Sequence, residues 1–330
     1  MEKCIIYNPY RNHTVADRYV SFVEQCLNDC NITTNRVDKI TKAEKDTGAF
    51  VVSVNDVPKA RRKGYYPVLL WVQGISPEES YMRNKSKLRS CVLSFIERRG
   101  LLKADAYLFV SESMHLHFNK NYHHEFDNCY VMPCFNEEIV EKSFFTPGKY
   151  INNVFLYAGG LQVWQCFEDT IKMYKKIEEK VESCSLRVLT KDQEKAREII
   201  LNCGVKKYSV GYVSPQDIGE ELKKAKFGFS LREDTPVNRV ATPTKLSTYV
   251  AYGVMPIYSR VIQGFDGVAH HSRFCIGIDD ADSAIDTVVR CCNEDINPQD
   301  VLQSYKQVFS TYYSIDYHKD HLTSFIKRLK

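Results

Sequence analysis

The chain has 330 residues, 44% of them hydrophobic and 26% charged. That is enough for two domains with cores of their own, and it excludes a disordered or low-complexity protein. The net charge of +4 is small, no run of about 18 apolar residues marks a membrane span, and "MEKCIIYNPYRN" lacks the pattern of a signal peptide.

In chain order, "CIIYN" reads as a short strand. "VADRYVSFVEQCLNDC" follows as a helix, with Val15, Tyr19, Val20, Phe22, Val23, Cys26 and Leu27 at helical spacing. "AFVVSV" and "YPVLLWVQG" are continuous apolar runs, as expected of strands covered on both faces. "SKLRSCVLSFIERRGLL" reads as a helix, and "AYLFVS" and "CYVMP" as strands. The alternation then pauses through "CFNEEIVEKSFFTPGKYINN". It restarts with the strand "VFLYAGG", a helix from about Cys166 to Val181, "LRVLT", a helix near "QEKAREIILNC", "YSVGYV", the helix "PQDIGEELKKA", "FGFSL", a helix after Thr242, and "MPIYS". Two blocks of alternating strands and helices predict an α/β chain of two doubly wound, Rossmann-like domains facing across a cleft. The expected boundaries are 1–135, a linker at 136–152, 153–312, and a final segment at 313–330.

Charge is unevenly placed. From Lys59 to Lys103 there are 11 Lys and Arg against Glu78, Glu79 and Glu97. This is either a solvated helix face or a surface for an anionic membrane or acceptor, with Arg61, Arg62, Lys63, Lys85, Lys87, Arg98 and Arg99 as its carriers. No nucleic-acid motif accompanies it. Twelve cysteines at irregular spacing, with no Cys-x-x-Cys, read as reduced thiols of a cytoplasmic protein. His123-His124 and His270-His271 have no third ligand at metal spacing, so no metal is expected.

The stretch "SLREDTPVNRVATPTKLSTYVAYG" places cationic and polar groups between a buried strand and a helix. Thr242 reads as the N-cap and Pro243 as the first helical residue. The free N–H groups of Thr244 and Lys245 would then face an anion, aided by the Lys245 charge, the threonine hydroxyls and Arg232 at the strand end. The alternative is an ordinary capped helix with solvated charges. Gly159-Gly160 after "VFLYA" would let a phosphate approach the backbone, although a tight turn explains the pair equally well. In the first half, Asp56, Gln73, Glu78, Glu79 and His115 follow strand ends. The first four read either as cleft residues or as loop caps and surface groups, and His115 either as an exposed helix residue or as a base.

"FLYAGGLQVWQ" and "FSLREDTPVNRVATPTKLSTYVAYGVMPI", with "LLWVQGISPEESYMRNKSKLRS" and "LLKADAYLFVSESM" upstream, resemble a group 1 glycosyltransferase of the GT-B fold, of the kind that assembles bacterial surface polysaccharides. The resemblance spans nearly the whole chain. It implies a nucleotide-diphosphate-sugar donor in the second domain, a glycan or lipid-linked acceptor held mainly by the first, no cofactor, and a last helix returning to the N-terminal domain. The basic N-terminal face would hold such a cytoplasmic enzyme peripherally at the inner face of a membrane that bears a lipid-linked acceptor. Carried over residue by residue, it sets the diphosphate between Gly159-Gly160 and the Thr242 helix, with Arg232 and Lys245 as the catalytic cations. Asn238 and Arg239 would line the sugar or phosphate, and Tyr212 and Val213 would hold the base. The chain departs from the family at two glutamates, whose positions hold Val240 and Thr248. A nucleotide-sugar epimerase and a non-catalytic partner of an active transferase share this fold and remain open at this stage.

Overall fold

The computed structural model describes residues 1–9, 14–214 and 216–329. The side chains of Thr14 and of Val15, which was read above as part of an apolar face, lie outside the described residues, as does Pro215, read above as opening a helix. The chain divides into two compact units. One comprises residues 1–134, 239–242 and 314–330, and the other 135–238 and 243–313.

The first unit contains β1 (Lys3–Tyr7), α1 (Thr14–Asp29), β2 (Thr33–Val37), β3 (Thr47–Val51), α2 (Val57–Arg62), β4 (Val68–Val72), α3 (Ser76–Asn84), α4 (Lys87–Leu101), β5 (Ala106–Phe109), α5 (Glu112–Tyr122) and β6 (Cys129–Val131). Its strands pair in parallel in the order β2-β1-β3-β4-β5-β6. Parallel pairing forces each connection to cross over a face of the sheet, which is why helices alternate with strands. Strands β3, β4 and β5 are buried along their whole length, as their unbroken apolar runs require. Trp71 on β4 stacks on Tyr19 of α1, with ring centroids 3.9 Å apart.

The second unit contains α6 (Glu141–Phe144), β7 (Asn153–Ala158), a 3-10 turn (Val163–Gln165), α7 (Phe167–Lys180), β8 (Cys184–Leu189), α8 (Gln193–Asn202), β9 (Tyr208–Gly211), α9 (Ile218–Lys224), β10 (Phe227–Ser230) and α10 (Pro236–Val240), whose last residues group with the first unit. It continues with α11 (Thr244–Ala251), β11 (Met255–Ser259), α12 (Gln263–Ala269), β12 (Ile276–Ile278), α13 (Ala281–Asn293) and α14 (Pro298–Val308). Its parallel sheet runs β12-β11-β10-β7-β8-β9. Counted from β7, this is the order 3-2-1-4-5-6 of a doubly wound nucleotide-binding sheet, and its direction reverses between β7 and β10. Phe155 on β7 stacks on Phe227 of β10 at 4.6 Å, with Tyr174 of α7 edge-on at 5.4 Å. Each such buried ring contributes about 1.5–3 kcal/mol by leaving water.

The segment read as a linker at 136–152 packs within the second unit. Phe144 is fully buried, and the Val140 N–H donates to the Ala251 carbonyl at 2.8 Å. The last helix, α15 (Ile315–Lys327), packs on α1 in the first unit. Lys319 pairs with Asp29 at 3.1 Å, and Tyr130 hydrogen-bonds His318 at 2.7 Å.

Candidate nucleotide-diphosphate site

In a doubly wound sheet the crevice for a ligand lies outside the carboxyl ends of the strands that flank the reversal. Here these strands are β7, which runs into Gly159-Gly160, and β10, which runs into Arg232. The third contributor is Lys245, in the first turn of α11.

Two sheet features bring these groups together. Gly228 on β10 has no side chain, and a Cβ there would fall 2.6 Å from the Tyr249 ring, so the absence lets α11 lie directly on the strand. Gly159 has φ +150°, a conformation that side-chain-bearing residues rarely adopt, and a Cβ there would fall 3.2 Å from Lys245 Nζ. The ammonium therefore sits against the bare backbone of the turn. It also lies over the Tyr157 ring, 4.4 Å from its centroid, and the Tyr157 hydroxyl donates to the Gly160 carbonyl at 2.6 Å.

Arg232 and Lys245 converge on one oxygen. Gln165 Oε1 accepts from Arg232 Nη1 at 2.7 Å and from Lys245 Nζ at 3.1 Å. Arg232 Nη1 also donates to the Trp164 carbonyl at 3.0 Å, and the Arg232 backbone N–H donates to Ser259 Oγ at 2.9 Å. Burial, reinforced by the neighbouring Arg232 charge, holds the Lys245 ammonium well below its ordinary pKa of 10.5. Burial likewise lowers the Arg232 pKa. Two half-buried cations around one shared neutral acceptor form a site short of negative charge. The first-turn N–H groups of α11, which have no intrahelical acceptors, add to the same field.

Not every residue singled out from the sequence lies here. Thr242 is not the N-cap of α11: Pro243 occupies that position with ψ 116°, so the helix begins at Thr244. The Thr242 hydroxyl accepts instead from the Cys134 N–H at 3.4 Å. Thr244 is half-buried, and its carbonyl accepts from the hydroxyls of Ser247 at 2.8 Å and Thr248 at 3.0 Å. Asn238 is 1% exposed, and its Nδ2 donates to the Glu233 carbonyl at 3.0 Å, so it braces the loop rather than lining it. Arg239 and Thr242 group with the first unit, where the Ser111 hydroxyl donates to the Val240 carbonyl at 2.7 Å. Tyr212 and Val213 follow β9, two strands from β7 in the sheet. The Tyr212 ring is exposed beneath Lys191 Nζ, and Val213 packs on the Leu156 cluster. Gln165, Tyr157 and Ser259 were not singled out. Gln165 stood inside the quoted "FLYAGGLQVWQ", next to the helix expected from about Cys166.

In the first unit, Asp56, Gln73 and His115 follow the adjacent strands β3, β4 and β5 at one end of the sheet. Burial raises the Asp56 pKa, and Lys59 opposes that shift. Gln73 Nε2 donates to the Val52 carbonyl at 3.2 Å. Glu78 pairs with His117 at 3.2 Å, and Glu79 with Arg83 at 3.1 Å. His115 stacks on Phe109 and meets Glu112 at 3.3 Å, so it is packed rather than exposed. Among the described residues, no group of three or more His, Cys, Asp or Glu could hold a metal ion.

No protein-family model matches the chain, and no curated protein matches it. Solved structures do. The apo form of the lipopolysaccharide outer core galactosyltransferase WaaB superposes with a TM-score of 0.66 over 99% of this chain and 100% of its own, at 12% identity. TarM superposes with a TM-score of 0.65 over 92% of this chain and 58% of its own, at 9% identity. The pneumococcal O-GlcNAc transferase GtfA, in complex with UDP and GlcNAc, gives 0.58 over 86% and 57%, at 8% identity. The chain thus spans a little over half of the TarM and GtfA chains and the whole of WaaB. These likenesses define the class of fold: two parallel six-stranded sheets with flanking helices, the GT-B fold of glycosyltransferases.

Proposed function

We propose that the protein is a glycosyltransferase that moves a hexosyl unit from a nucleotide-diphosphate sugar to a glycan or lipid-linked glycan acceptor in surface polysaccharide assembly. The observation that carries this reading is the convergence of Arg232 and Lys245 on one oxygen at the sheet reversal of the second unit. A departing nucleoside diphosphate develops negative charge as the glycosidic bond breaks. Two cations and a helix start aimed at that charge lower the barrier without a metal ion. Retention of the anomeric configuration goes with the family that the motifs resemble. TarM has been solved with UDP and α-GlcNAc-glycerol, and GtfA with UDP and GlcNAc, which supports a nucleotide-sugar donor. A lipid-linked acceptor sets the enzyme at the inner face of a membrane.

One observation favours a second reading, a non-catalytic binding partner. Where the resembling family carries glutamates, Val240 is buried, and the Thr248 hydroxyl is engaged by the Thr244 carbonyl at 3.0 Å and by Asn136 Nδ2 at 3.5 Å. Incubation with a panel of nucleotide-sugars separates the readings. The transferase releases nucleoside diphosphate and free sugar slowly from one donor, at a rate that EDTA changes by less than about twofold. Interconversion at C2 identifies an epimerase, and binding without turnover identifies the partner. Loss of turnover in EDTA, restored by Mn²⁺ or Mg²⁺, contradicts the metal-free mechanism.

A further inference from the structure

Helix α4 shows its apolar side to solvent. Leu88, Val92 and Phe95 are 78%, 53% and 69% exposed, and their spacing of four and three puts them on one face. The opposite face is fixed inward. Glu97 is buried, with Oε1 accepting from the Ser76 N–H at 3.0 Å and Oε2 from the Tyr122 hydroxyl at 2.7 Å, and Gly100 and Leu101 are buried beside it. Burial pushes the Glu97 carboxyl up to about 7.

The surroundings of the stripe are cationic. From Tyr81 to Lys103 the basic residues are Arg83, Lys85, Lys87, Arg89, Arg98, Arg99 and Lys103, and the single acidic residue is the inward-facing Glu97. Arg99 shares the apolar face, Lys87 and Arg98 flank it on one side, and Arg89 flanks it on the other. Lys85 Nζ lies over the ring of the exposed Tyr81 at 5.9 Å.

We infer that α4 is a membrane-docking helix that lies in the headgroup layer of an anionic bilayer, with Leu88, Val92 and Phe95 inserted and the flanking Lys and Arg on the lipid phosphates. An apolar stripe bordered by basic residues fits the boundary between acyl chains and headgroups. A second copy of the chain fits poorly, because a two-fold contact would press the same basic face against itself. Nucleic acid fits poorly as well, since the stripe would meet phosphates with Leu and Phe. The inference needs only the surface of the first unit and does not depend on the transferase reading. No helix among the described residues is long and apolar enough to cross a membrane, so the attachment is superficial.

The test is flotation of the full chain with phosphatidylcholine vesicles, with and without phosphatidylglycerol. The wild type floats with the anionic vesicles only. A Leu88→Glu, Phe95→Glu variant, exposed at both positions, loses at least about tenfold in partitioning while every basic residue stays in place. Replacing Arg89, Arg98 and Arg99 with Gln lowers partitioning by roughly 100-fold. Circular dichroism and an unchanged melting temperature check that the variants are folded. Flotation of the Leu88→Glu, Phe95→Glu variant equal to wild type overturns insertion and leaves only a charged surface. Absence of wild-type flotation overturns the proposal outright. So does a lipid-free change of mass in sedimentation on mutating Leu88 and Phe95, which would assign the face to self-association.

Discussion

Alanine at Arg232 or at Lys245 is expected to weaken binding of nucleoside diphosphates by roughly 10- to 100-fold, the worth of a charge-assisted hydrogen bond to a phosphate oxygen. Both cations are half-buried, and both point at the same oxygen. The pH dependence gives a second readout. The Lys245 pKa is depressed in the free protein, and a bound diphosphate raises it again, because a negative charge beside the ammonium favours the protonated form. Between those two values binding takes up a proton, and affinity falls as the pH rises. Calorimetry in buffers of different ionisation enthalpy measures the uptake. Lys245→Ala abolishes it. Arg232→Ala reduces it, since the Arg232 charge is one cause of the depression. Unchanged affinity in both variants would remove the anion site.

A larger effect is expected from a change that adds nothing to the volume of the site. In Gln165→Glu a carboxylate replaces the amide oxygen that Arg232 and Lys245 share. The two cations then hold an internal anion, and a diphosphate must displace it. Pairing in this partly desolvated setting is expected to cost the ligand on the order of 100-fold in affinity or more, and to raise the melting temperature of the ligand-free protein. Gln165→Ala removes the stand-in oxygen and leaves affinity within about threefold of wild type, because a neutral acceptor competes weakly with a phosphate. Equal binding by the Gln165→Glu variant and the wild type would mean that the diphosphate does not sit between these cations.

The parts of the site that the sequence discloses are those fixed by local pattern. β7 and β10 are mostly apolar because both faces of the sheet are covered, and each gives way abruptly to the Gly-Gly or Arg-Glu-Asp that marks the crevice. α11 shows its apolar face at Leu246, Tyr249 and Val250. The parts that were not legible depend on contacts distant in sequence. β2, "TTNRV", is a polar edge strand paired only with β1, so it carries no apolar alternation. β12 has three residues, too few for a period. Thr242-Pro243 reads as a cap followed by a first helical residue, but the extended ψ of Pro243 moves the helix start one residue on, and Thr242 turns to Cys134. The grouping of Arg239–Thr242 with the first unit reflects partners such as Ser111, over 120 residues away. Gln165 becomes conspicuous only when the side chains of Arg232 and Lys245 are seen to meet on it. The apolar outer face of α4 was hidden for a similar reason. The sequence shows a helix there, and which side of it faces outward becomes clear only when the fold turns Glu97, Gly100 and Leu101 inward.

The most direct test of the central claim, that the second unit binds a nucleoside diphosphate at the β7–β10 crevice, is hydrogen exchange of the full chain with and without saturating UDP, GDP or ADP. One of these diphosphates should slow exchange at residues 157–165 and 230–248, the Gly159 turn and the Arg232-to-α11 segment, with little change elsewhere in the sheet. No protection in either segment with any of the three, or protection confined to the first unit, would contradict the account.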